Sequence, residues 1–359
     1  MKVCIFAESL SAELHARILP LAKGLESNGV QCKIMLPINW HRFAKKTFGN
    51  ILSIPLTHNI NQYLKILKYN PDLVIIGRVS SINICFLQKL YKLKRIKMIF
   101  DLDDALFLPL SKMGIKVPNP KYSHINKIVK NSDYVTVNGR YLLRYVRPLN
   151  QKVEVITDPI DTNLFTPRSK NRSDKITIGW EGTPRVHYEN LAMLLKPLEK
   201  LGQKYDIKFK IVSYLGDMKV QQLFKKLENL IEIDYGLDHW VSLDKFSKML
   251  SEFDIMAAPL KKTPWYEGKS VSRVGYGMAM CIPVVASPVG EQKYVIKHSY
   301  NGFLADNEED WFRYLSALIE DDDLRKRIGR NGKKTVDKEL SLEACSRKLY
   351  NVLENLIES

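Results

Sequence analysis

No stretch of this 359-residue chain is apolar for long enough to cross a membrane. A transmembrane helix needs roughly 18 or more consecutive apolar residues. The first ten residues, MKVCIFAESL, have too short an apolar run for a signal peptide and lack a small-residue cleavage site. We therefore expect the chain to begin with a β-strand and to reside in the cytoplasm.

Motifs for metal ligands and for common nucleophiles are absent as well. The five cysteines are scattered without metal-ligand spacing, which favours buried thiols in a reducing compartment. The seven histidines form no H-x-x-x-H pair, and neither a G-x-S-x-G elbow nor a Walker loop occurs. These absences argue against a zinc enzyme, a serine hydrolase and a P-loop enzyme.

Acidic residues are scarce in the first half of the chain. Residues 1–170 hold 26 Lys and Arg against 11 Asp and Glu, whereas residues 171–359 hold 29 against 28. The asymmetry predicts an anionic partner for the first half: a membrane surface, a phospholipid-like substrate or nucleic acid. Because no nucleic-acid-binding module is recognisable, we expect an anionic membrane surface and no nucleic acid.

Two basic segments carry this expectation further. Residues 89–97 and 140–147 interleave leucine and tyrosine with cations. Such a mixture suits a membrane interface, because the apolar groups enter the headgroup region while the cations meet anionic lipids. It is equally typical of an amphipathic helix with an ordinary solvated face.

Short apolar runs alternate with helical patterns along the chain. A chain of this length exceeds what one core usually supports, so we expect two domains. Strands separated by single helices predict parallel, doubly wound sheets, and the polar, proline-containing stretch Asp158–Asp174 predicts the linker. The predicted strands are Val3–Ala7, Val30–Leu36, Leu73–Ile76, Ile96–Asp101, Tyr134–Val137, Val153–Thr157, Ile176–Trp180, Phe209–Val212, Ile255–Ala258 and Pro283–Ala286. The predicted helices are Glu13–Ser27, Asn59–Lys68, Ser81–Tyr91, Ser123–Asn131, Tyr141–Val146, Tyr188–Leu201, Lys219–Leu230, Leu243–Ser251 and Ser270–Cys281, with others starting at Glu308, Asp322 and Leu342.

The stretch Glu267–Glu291 organises the second half. On a helical period, Lys269, Arg273, Tyr276 and Met280 share one face. Cations at a helix start oppose the helix dipole but suit an anionic ligand bound there. Two solvated basic side chains are the alternative interpretation.

A series of motifs resembles a known family. The segments DIMAAPL, GKS, IPVVASPVGE and NGFLADN look like the donor-binding half of retaining glycosyltransferases of family four, the group 1 type. KVCIFAE, DLDDALF, VEVITDPIDTNLF and IGWEGTP follow the order of that family along nearly the whole chain. The resemblance implies the α/β GT-B fold: two Rossmann-like doubly wound parallel-sheet domains that face a cleft. It places an acceptor-binding domain at 1–160, a nucleotide-sugar-binding domain at 161–340, and a helix at 341–359 that crosses back to the first domain.

The resemblance also implies site residues. Glu267 and Lys269 stand where the family carries its catalytic groups, Glu267 for the donor sugar and Lys269 for the pyrophosphate. The implied nucleotide-sugar-binding residues are Gly182, Arg185, Ser270, Arg273 and Tyr276. On the acceptor side the candidates are His15 and Asp103.

The sequence departs from the family at two positions. Trp180 occupies the usual arginine position, which leaves Arg185 as the only cation of the loop Gly179–Arg185. Tyr276 stands in place of the glutamate that accepts hydrogen bonds from the donor ribose. A phenol is neutral at pH 7 and offers less to a ribose than a carboxylate does.

The acids of Asp101–Asp104 suggest a D-x-D metal site, but they end a strand of the first domain, and the GT-B resemblance implies neither a metal nor another cofactor. We predict a glycosyltransferase that moves a sugar from a nucleoside-diphosphate sugar to a hydroxyl of a glycan or lipid-linked acceptor. Retention of configuration, a role in cell-surface polysaccharide or glycolipid synthesis, and a peripheral position on the inner face of the membrane complete the prediction. The alternatives are a non-catalytic GT-B homologue that acts as a glycan- or membrane-binding scaffold and a GT-B epimerase, although no acid/base pair for the latter is evident.

Overall fold

The structure is a computed structural model that describes residues 1–7, 14–35, 65–77, 82–112, 115–117, 124–168, 175–236 and 242–358, without the side chains at 14–15, 82–83, 110–112 and 115–117. The chain divides into two compact units, Met1–Pro159 with Leu342–Ser359 and Ile160–Ser341. The bounds expected from sequence differ from these by a single residue. Most of the predicted helix Asn59–Lys68 lies outside the described residues.

Unit 1 is built on a parallel sheet that has six strands in the described part of the chain. Its strands are β1 (Lys2–Ala7), β2 (Gln31–Met35), β3 (Leu73–Gly77), β4 (Lys97–Leu102), β7 (Tyr134–Val137) and β8 (Val153–Val155), in the order β2-β1-β3-β4-β7-β8. A small antiparallel hairpin, β5 (Leu110–Lys112) and β6 (Ile115–Val117), follows β4. The helices are Leu19–Ser27, Ile82–Leu93, Ile125–Asn131, Arg140–Val146 and Leu342–Glu358, and a helical turn spans Leu14–Ile18.

Both faces of this sheet are buried, as expected for parallel strands flanked by helices. Along β1, Cys4 and Phe6 enter one core cluster, whereas Val3 and Ile5 enter the other. The second cluster includes the apolar side of the last helix, Leu342–Glu358, which packs on Leu19–Ser27. The end of the chain therefore completes the core of unit 1.

Unit 2 contains a second parallel six-stranded sheet in the described residues. Its strands are β9 (Ile176–Glu181), β10 (Ile207–Val212), β11 (Glu232–Tyr235), β12 (Ile255–Ala258), β13 (Val284–Ala286) and β14 (Phe303–Leu304), in the order β11-β10-β9-β12-β13-β14. The strand order reverses between β9 and β12, which makes the carboxyl ends of these two strands the topological switch point. The helices are Tyr188–Ala192, Leu195–Lys204, Met218–Phe224, Leu243–Leu250, Pro264–Glu267, Ser272–Ala279, Gln292–Val295, Glu308–Glu320 and Asp322–Thr335, with turns at Lys225–Leu227 and Val336–Leu340.

Several predicted boundaries are wrong. The helix expected over Tyr188–Leu201 is two helices, because Pro197 lacks an N–H and is tolerated only in the first turn of the second one. The helix before β13 begins at Ser272 and not at Ser270, since Val271 is its N-cap. The strands Glu232–Tyr235 and Phe303–Leu304 were not predicted from the sequence.

The predicted linker is partly a core segment. Ile160 and Phe165 are buried within unit 2, and Ile160 forms a β-bridge with Ser341. Two buried apolar side chains among polar residues anchor this stretch to unit 2. The remainder of the expected linker, residues 169–174, lies outside the described residues.

Candidate functional site

The candidate site lies at the carboxyl ends of β9, β12 and β13 within unit 2. β9 ends at Glu181 and is followed by Gly182, whose φ of 142° is a backbone conformation that favours glycine. A Cβ added at Gly182 would lie 2.5 Å from Nη2 of Arg273. The glycine therefore leaves the space into which this guanidinium extends.

Arg273 reaches from the first turn of the helix Ser272–Ala279 to the end of β9. Its Nε donates to Oε1 of Glu181 at 3.1 Å, and both side chains are mostly buried. Its Cζ lies 5.2 Å from the centroid of the buried Trp180 ring, a cation–π distance. Trp180 stands where the resemblance implies an arginine, and the guanidinium of Arg273, from a different element, lies over its ring.

His187 lies beside this guanidinium. Its Nε2 is 3.4 Å from Nη2 of Arg273, and its Nδ1 is 2.7 Å from Nδ2 of Asn190. Burial, followed by the positive charges of Arg273 and Lys269, lowers the pKa of His187 to about 3. The imidazole is therefore neutral at physiological pH.

Lys269 and Ser270 occupy the turn between Pro264–Glu267 and Ser272–Ala279. The ammonium of Lys269 lies 4.4 Å from the centroid of the Trp265 ring. The hydroxyl of Ser270 is 3.1 Å from that of Ser272 at the helix start. Lys269 and Arg273 create a positive region beside the neutral His187 at the switch point, as an anionic ligand requires.

Glu267 joins two loops of the site. Its Oε2 accepts hydrogen bonds from Nζ of Lys293 at 2.8 Å and from the backbone N–H of Gly290 at 3.2 Å. These bonds tie the segment after β12 to the turn after β13. The carboxylate that the resemblance assigns to the donor sugar is thus held in place by partners on a neighbouring loop.

The remaining side chains predicted to bind the nucleotide sugar are Arg185 and Tyr276. Arg185 is exposed and makes no hydrogen bond or ion pair within the described residues. The ring of Tyr276 stacks on Phe165 at 4.3 Å between centroids and meets Phe246 edge-on at 5.8 Å. Tyr276 therefore contributes to an aromatic cluster of unit 2.

The acceptor-side candidates belong to unit 1. Asp103 is buried just beyond β4, and its backbone oxygen accepts a hydrogen bond from Nδ2 of Asn138. His15 belongs to the helical turn Leu14–Ile18, but its side chain lies outside the described residues. Nearby, the buried Arg17 holds Asp101 through two hydrogen bonds of 2.7 Å, which gives the first acid of DLDD a structural role.

Sequence reasoning overlooked Glu181, His187 and Arg17. Glu181 directly precedes the glycine that was selected, and its position at a strand end was an available signal. His187 follows Arg185 by two residues, but only the fold brings it to Arg273, 86 positions later. For Arg17 nothing in the local sequence indicates a partner 84 residues away.

Comparisons with known proteins extend this picture. Residues 184–335, most of unit 2, match the family model described as "Glycosyl transferases group 1". The chain is also similar to an uncharacterised glycosyltransferase of Methanocaldococcus jannaschii, with 29% identity over 256 residues. That alignment spans 64% of this chain and 65% of the relative, just under two thirds of each.

Solved structures resemble the whole chain. A glycosyltransferase from Rickettsia africae has a TM-score of 0.74 at 18% identity and covers 100% of this chain and 99% of its own. Sucrose-phosphate synthase from Thermosynechococcus elongatus has the same TM-score and coverage at 13% identity. Anabaena HepE in complex with UDP-glucose has a TM-score of 0.66 at 13% identity, covering 99% and 100%. The predicted fold class is confirmed: the chain has the two-domain α/β GT-B fold.

Proposed function

We propose that this protein is a glycosyltransferase that transfers a sugar from a nucleoside-diphosphate sugar to a hydroxyl of a glycan or lipid-linked acceptor. The observation that carries the proposal is the cluster of Lys269, Arg273 and neutral His187 at the switch point of unit 2. A diphosphate is the ligand that such a cluster suits. The match of residues 184–335 to the group 1 family supports the same conclusion.

The proposed chemistry needs no protein nucleophile and no metal. In a front-face reaction with retention of configuration, the acceptor oxygen bonds to the anomeric carbon on the side from which the diphosphate leaves, and the acceptor proton passes to the departing phosphate oxygen. As the bond from the anomeric carbon to the diphosphate breaks, negative charge develops on the diphosphate. Lys269 and Arg273 stabilise that charge, and their positions are fixed before the reaction by Trp265 and Glu181. Glu267, fixed by Gly290 and Lys293, is the group we assign to the donor sugar.

A membrane surface is the proposed location of the acceptor. Among the described helices, none combines the length and the apolar character that a bilayer crossing needs. The helix Ile82–Leu93 exposes Phe86 and Leu93, which are seven residues apart and therefore share a face, and Lys89 and Lys92 flank them. Exposed apolar side chains among lysines fit an anionic membrane interface. We propose peripheral association there, in polysaccharide or glycolipid synthesis.

The direct test is a thermal-shift panel with UDP, GDP, ADP and dTDP, followed by donor hydrolysis with the nucleotide sugars of the base that binds. A ligand at about 100 times its Kd stabilises the folded state by roughly 2.7 kcal/mol. We expect one base to stabilise the protein and its nucleotide sugars to be hydrolysed. Absence of both effects across the panel would overturn the proposal.

One observation favours a second candidate. Because the ring of Tyr276 is engaged by Phe165, the position that the resemblance assigns to ribose recognition carries a packed phenol and no carboxylate. A non-catalytic GT-B homologue that serves as a glycan- or membrane-binding scaffold would tolerate this loss. Binding to glycans or vesicles without any nucleotide binding would favour that candidate.

A further inference from the structure

The orientation of Asn190 fixes the tautomer of His187. The backbone N–H of Lys261 donates to Oδ1 of Asn190 at 2.8 Å, so Nδ2 is the amide atom that faces the imidazole. An amide nitrogen only donates, and Nδ1 of His187 must therefore accept its hydrogen bond and carry no proton. Since a neutral imidazole has one N–H, the proton is on Nε2.

Two donors consequently face each other across a short gap. Nε2–H of His187 lies 3.4 Å from Nη2 of Arg273, and a guanidinium offers donors only. Glu181 accepts from Nε of Arg273, but within the described residues no oxygen accepts from Nη2 or from Nε2 of His187. Both groups are positioned for an acceptor that the protein itself does not supply there.

The positive charges around His187 favour a negatively charged acceptor. Lys269 and Arg273 make the space around His187 positive, and both contribute to keeping the imidazole neutral. The carboxylate of Glu181 is engaged by Arg273. A negatively charged oxygen that contacts both donors meets a positive potential and two unsatisfied hydrogen bonds.

We propose that Nε2–H of His187 and Nη2–H of Arg273 jointly bind one oxygen of the donor diphosphate. The inference rests on the proposed function and assigns a ligand-binding role to His187. A neutral donor in this place recognises phosphate without adding a charge beside two cations. Asn190 and the backbone N–H of Lys261 act as positioning groups, because they hold the imidazole in the tautomer that points its proton at the ligand.

Two substitutions separate the two ring nitrogens. His187→Asn retains an amide near the position of Nδ1, where it meets Asn190, but does not reach the site of Nε2. His187→Gln extends an amide donor to that site. We expect His187→Asn to weaken binding of the best nucleoside diphosphate from the panel, and of inorganic pyrophosphate, about tenfold or more by calorimetry, whereas His187→Gln weakens it less than about threefold. Lys226→Gln, an exposed change in the turn Lys225–Leu227 before β11, is the control and should bind like the wild type.

A second measurement does not depend on a variant. Long-range ¹H–¹⁵N spectra of the free wild-type protein should show His187 as the Nε2–H tautomer, and UDP or pyrophosphate should shift its Nε2 resonance. Unchanged affinity in folded His187→Asn, or an Nδ1–H tautomer, would overturn this inference and leave the proposed function standing. A wild type that binds neither any nucleoside diphosphate nor pyrophosphate would overturn both.

Discussion

Arg17 and Asp101 form a bidentate ion pair in the core of unit 1. Nε and Nη2 of Arg17 each donate to a separate oxygen of Asp101 at 2.7 Å, and both side chains are almost completely buried. Nη1 of Arg17 also donates to the backbone oxygen of Ile156 at 2.8 Å and to Asp158 at 3.2 Å. One side chain thus connects the first helical turn, the end of β4 and the segment after β8.

Breaking this pair should destabilise the protein strongly. In Arg17→Met, Asp101 is left as an unpaired buried carboxylate, and removal of one partner of a buried pair costs about 3–5 kcal/mol. We expect a loss of that size in the free energy of unfolding, measured in urea. The double variant Arg17→Met/Asp101→Leu should recover part of it, because it removes the buried carboxylate of Asp101, whereas Asp158 still loses its bond to Arg17. Equal stability of single variant and wild type would contradict the structural role.

Most strands of the two sheets could be predicted from the sequence, but the ion pairs between strands could not. Strands such as Leu73–Gly77 and Ile255–Ala258 are continuous apolar runs because helices cover both faces of a parallel sheet, and such runs are visible in a single sequence. The strand Glu232–Tyr235 has alternating acids instead. These acids form ion pairs with Lys208 and Lys210 on the neighbouring strand β10. The charged residues made the segment unlike a buried strand in the sequence, and their partners are evident only in the folded sheet.

The candidate site was predictable to a similar degree. Gly182, Lys269 and Arg273 could be selected as candidates because glycines and cations at strand and helix ends carry a local signal. The partners Glu181 and His187 contact Arg273 across 92 and 86 positions of the chain. Spacing in one sequence carries no information on such distant contacts, so their roles required the fold.

Lys269 should dominate recognition of the diphosphate. Its ammonium is placed over the face of Trp265, so Lys269→Ala removes a positioned cation without removing a core side chain. We expect at least tenfold weaker binding of the nucleoside diphosphate, since a hydrogen bond to a charged group contributes roughly 1.5–3 kcal/mol. Calorimetry with the same nucleotide checks the value, and Arg185→Ala should weaken binding less. Unchanged affinity in the Lys269 variant would indicate that Lys269 is an ordinary solvated side chain.

Tyr276 offers a test that separates packing from ligand binding. Tyr276→Phe retains the ring that stacks on Phe165, so the free energy of unfolding should stay within about 0.5 kcal/mol of the wild type. If the hydroxyl takes over a ribose hydrogen bond, this variant should lose roughly two- to tenfold in donor affinity, the contribution of one neutral hydrogen bond. Tyr276→Ala is the packing control and should lower stability by about 2 kcal/mol. Full donor affinity in Tyr276→Phe would show that the phenol serves packing alone.

His187 should make the stability of the protein sensitive to acid. Burial and the facing cations Arg273 and Lys269 lower its folded-state pKa from 6.5 to about 3. Of the other groups that face it, Glu181 is engaged by Arg273, and the Tyr266 ring lies 5.9 Å from the imidazole between centroids. At pH values between these two pKa values, the unfolded state therefore binds a proton at His187 and the folded state does not. The contribution is therefore complete above pH 6.5 and is lost toward pH 3, at up to about 1.4 kcal/mol per pH unit. Urea unfolding at pH 7.5 and pH 5 should show a larger decrease for the wild type than for His187→Gln, and parallel decreases would contradict the assignment.

Membrane binding should depend on both charge and the exposed side chains of Ile82–Leu93. Phe86 is 69% exposed and Leu93 is 81% exposed. We expect co-sedimentation with vesicles that contain anionic lipid at low salt and release at high salt, because a Debye length of about 8 Å at physiological ionic strength already screens part of the attraction. The double variant Phe86→Ser/Leu93→Ser should bind several-fold more weakly, since it removes the apolar contacts while retaining the lysines.

A matched control comes from unit 2, where Met218 is 62% exposed on a different helix. Met218→Ser removes a comparable apolar side chain from outside the basic segment and should leave vesicle binding unchanged. Equal binding of the wild type to neutral vesicles would contradict the electrostatic part of the proposal. An equal loss in the Met218 variant would contradict a specific role of Phe86 and Leu93. DNA binding of comparable affinity would indicate that the excess positive charge of residues 1–170 serves a nucleic-acid partner.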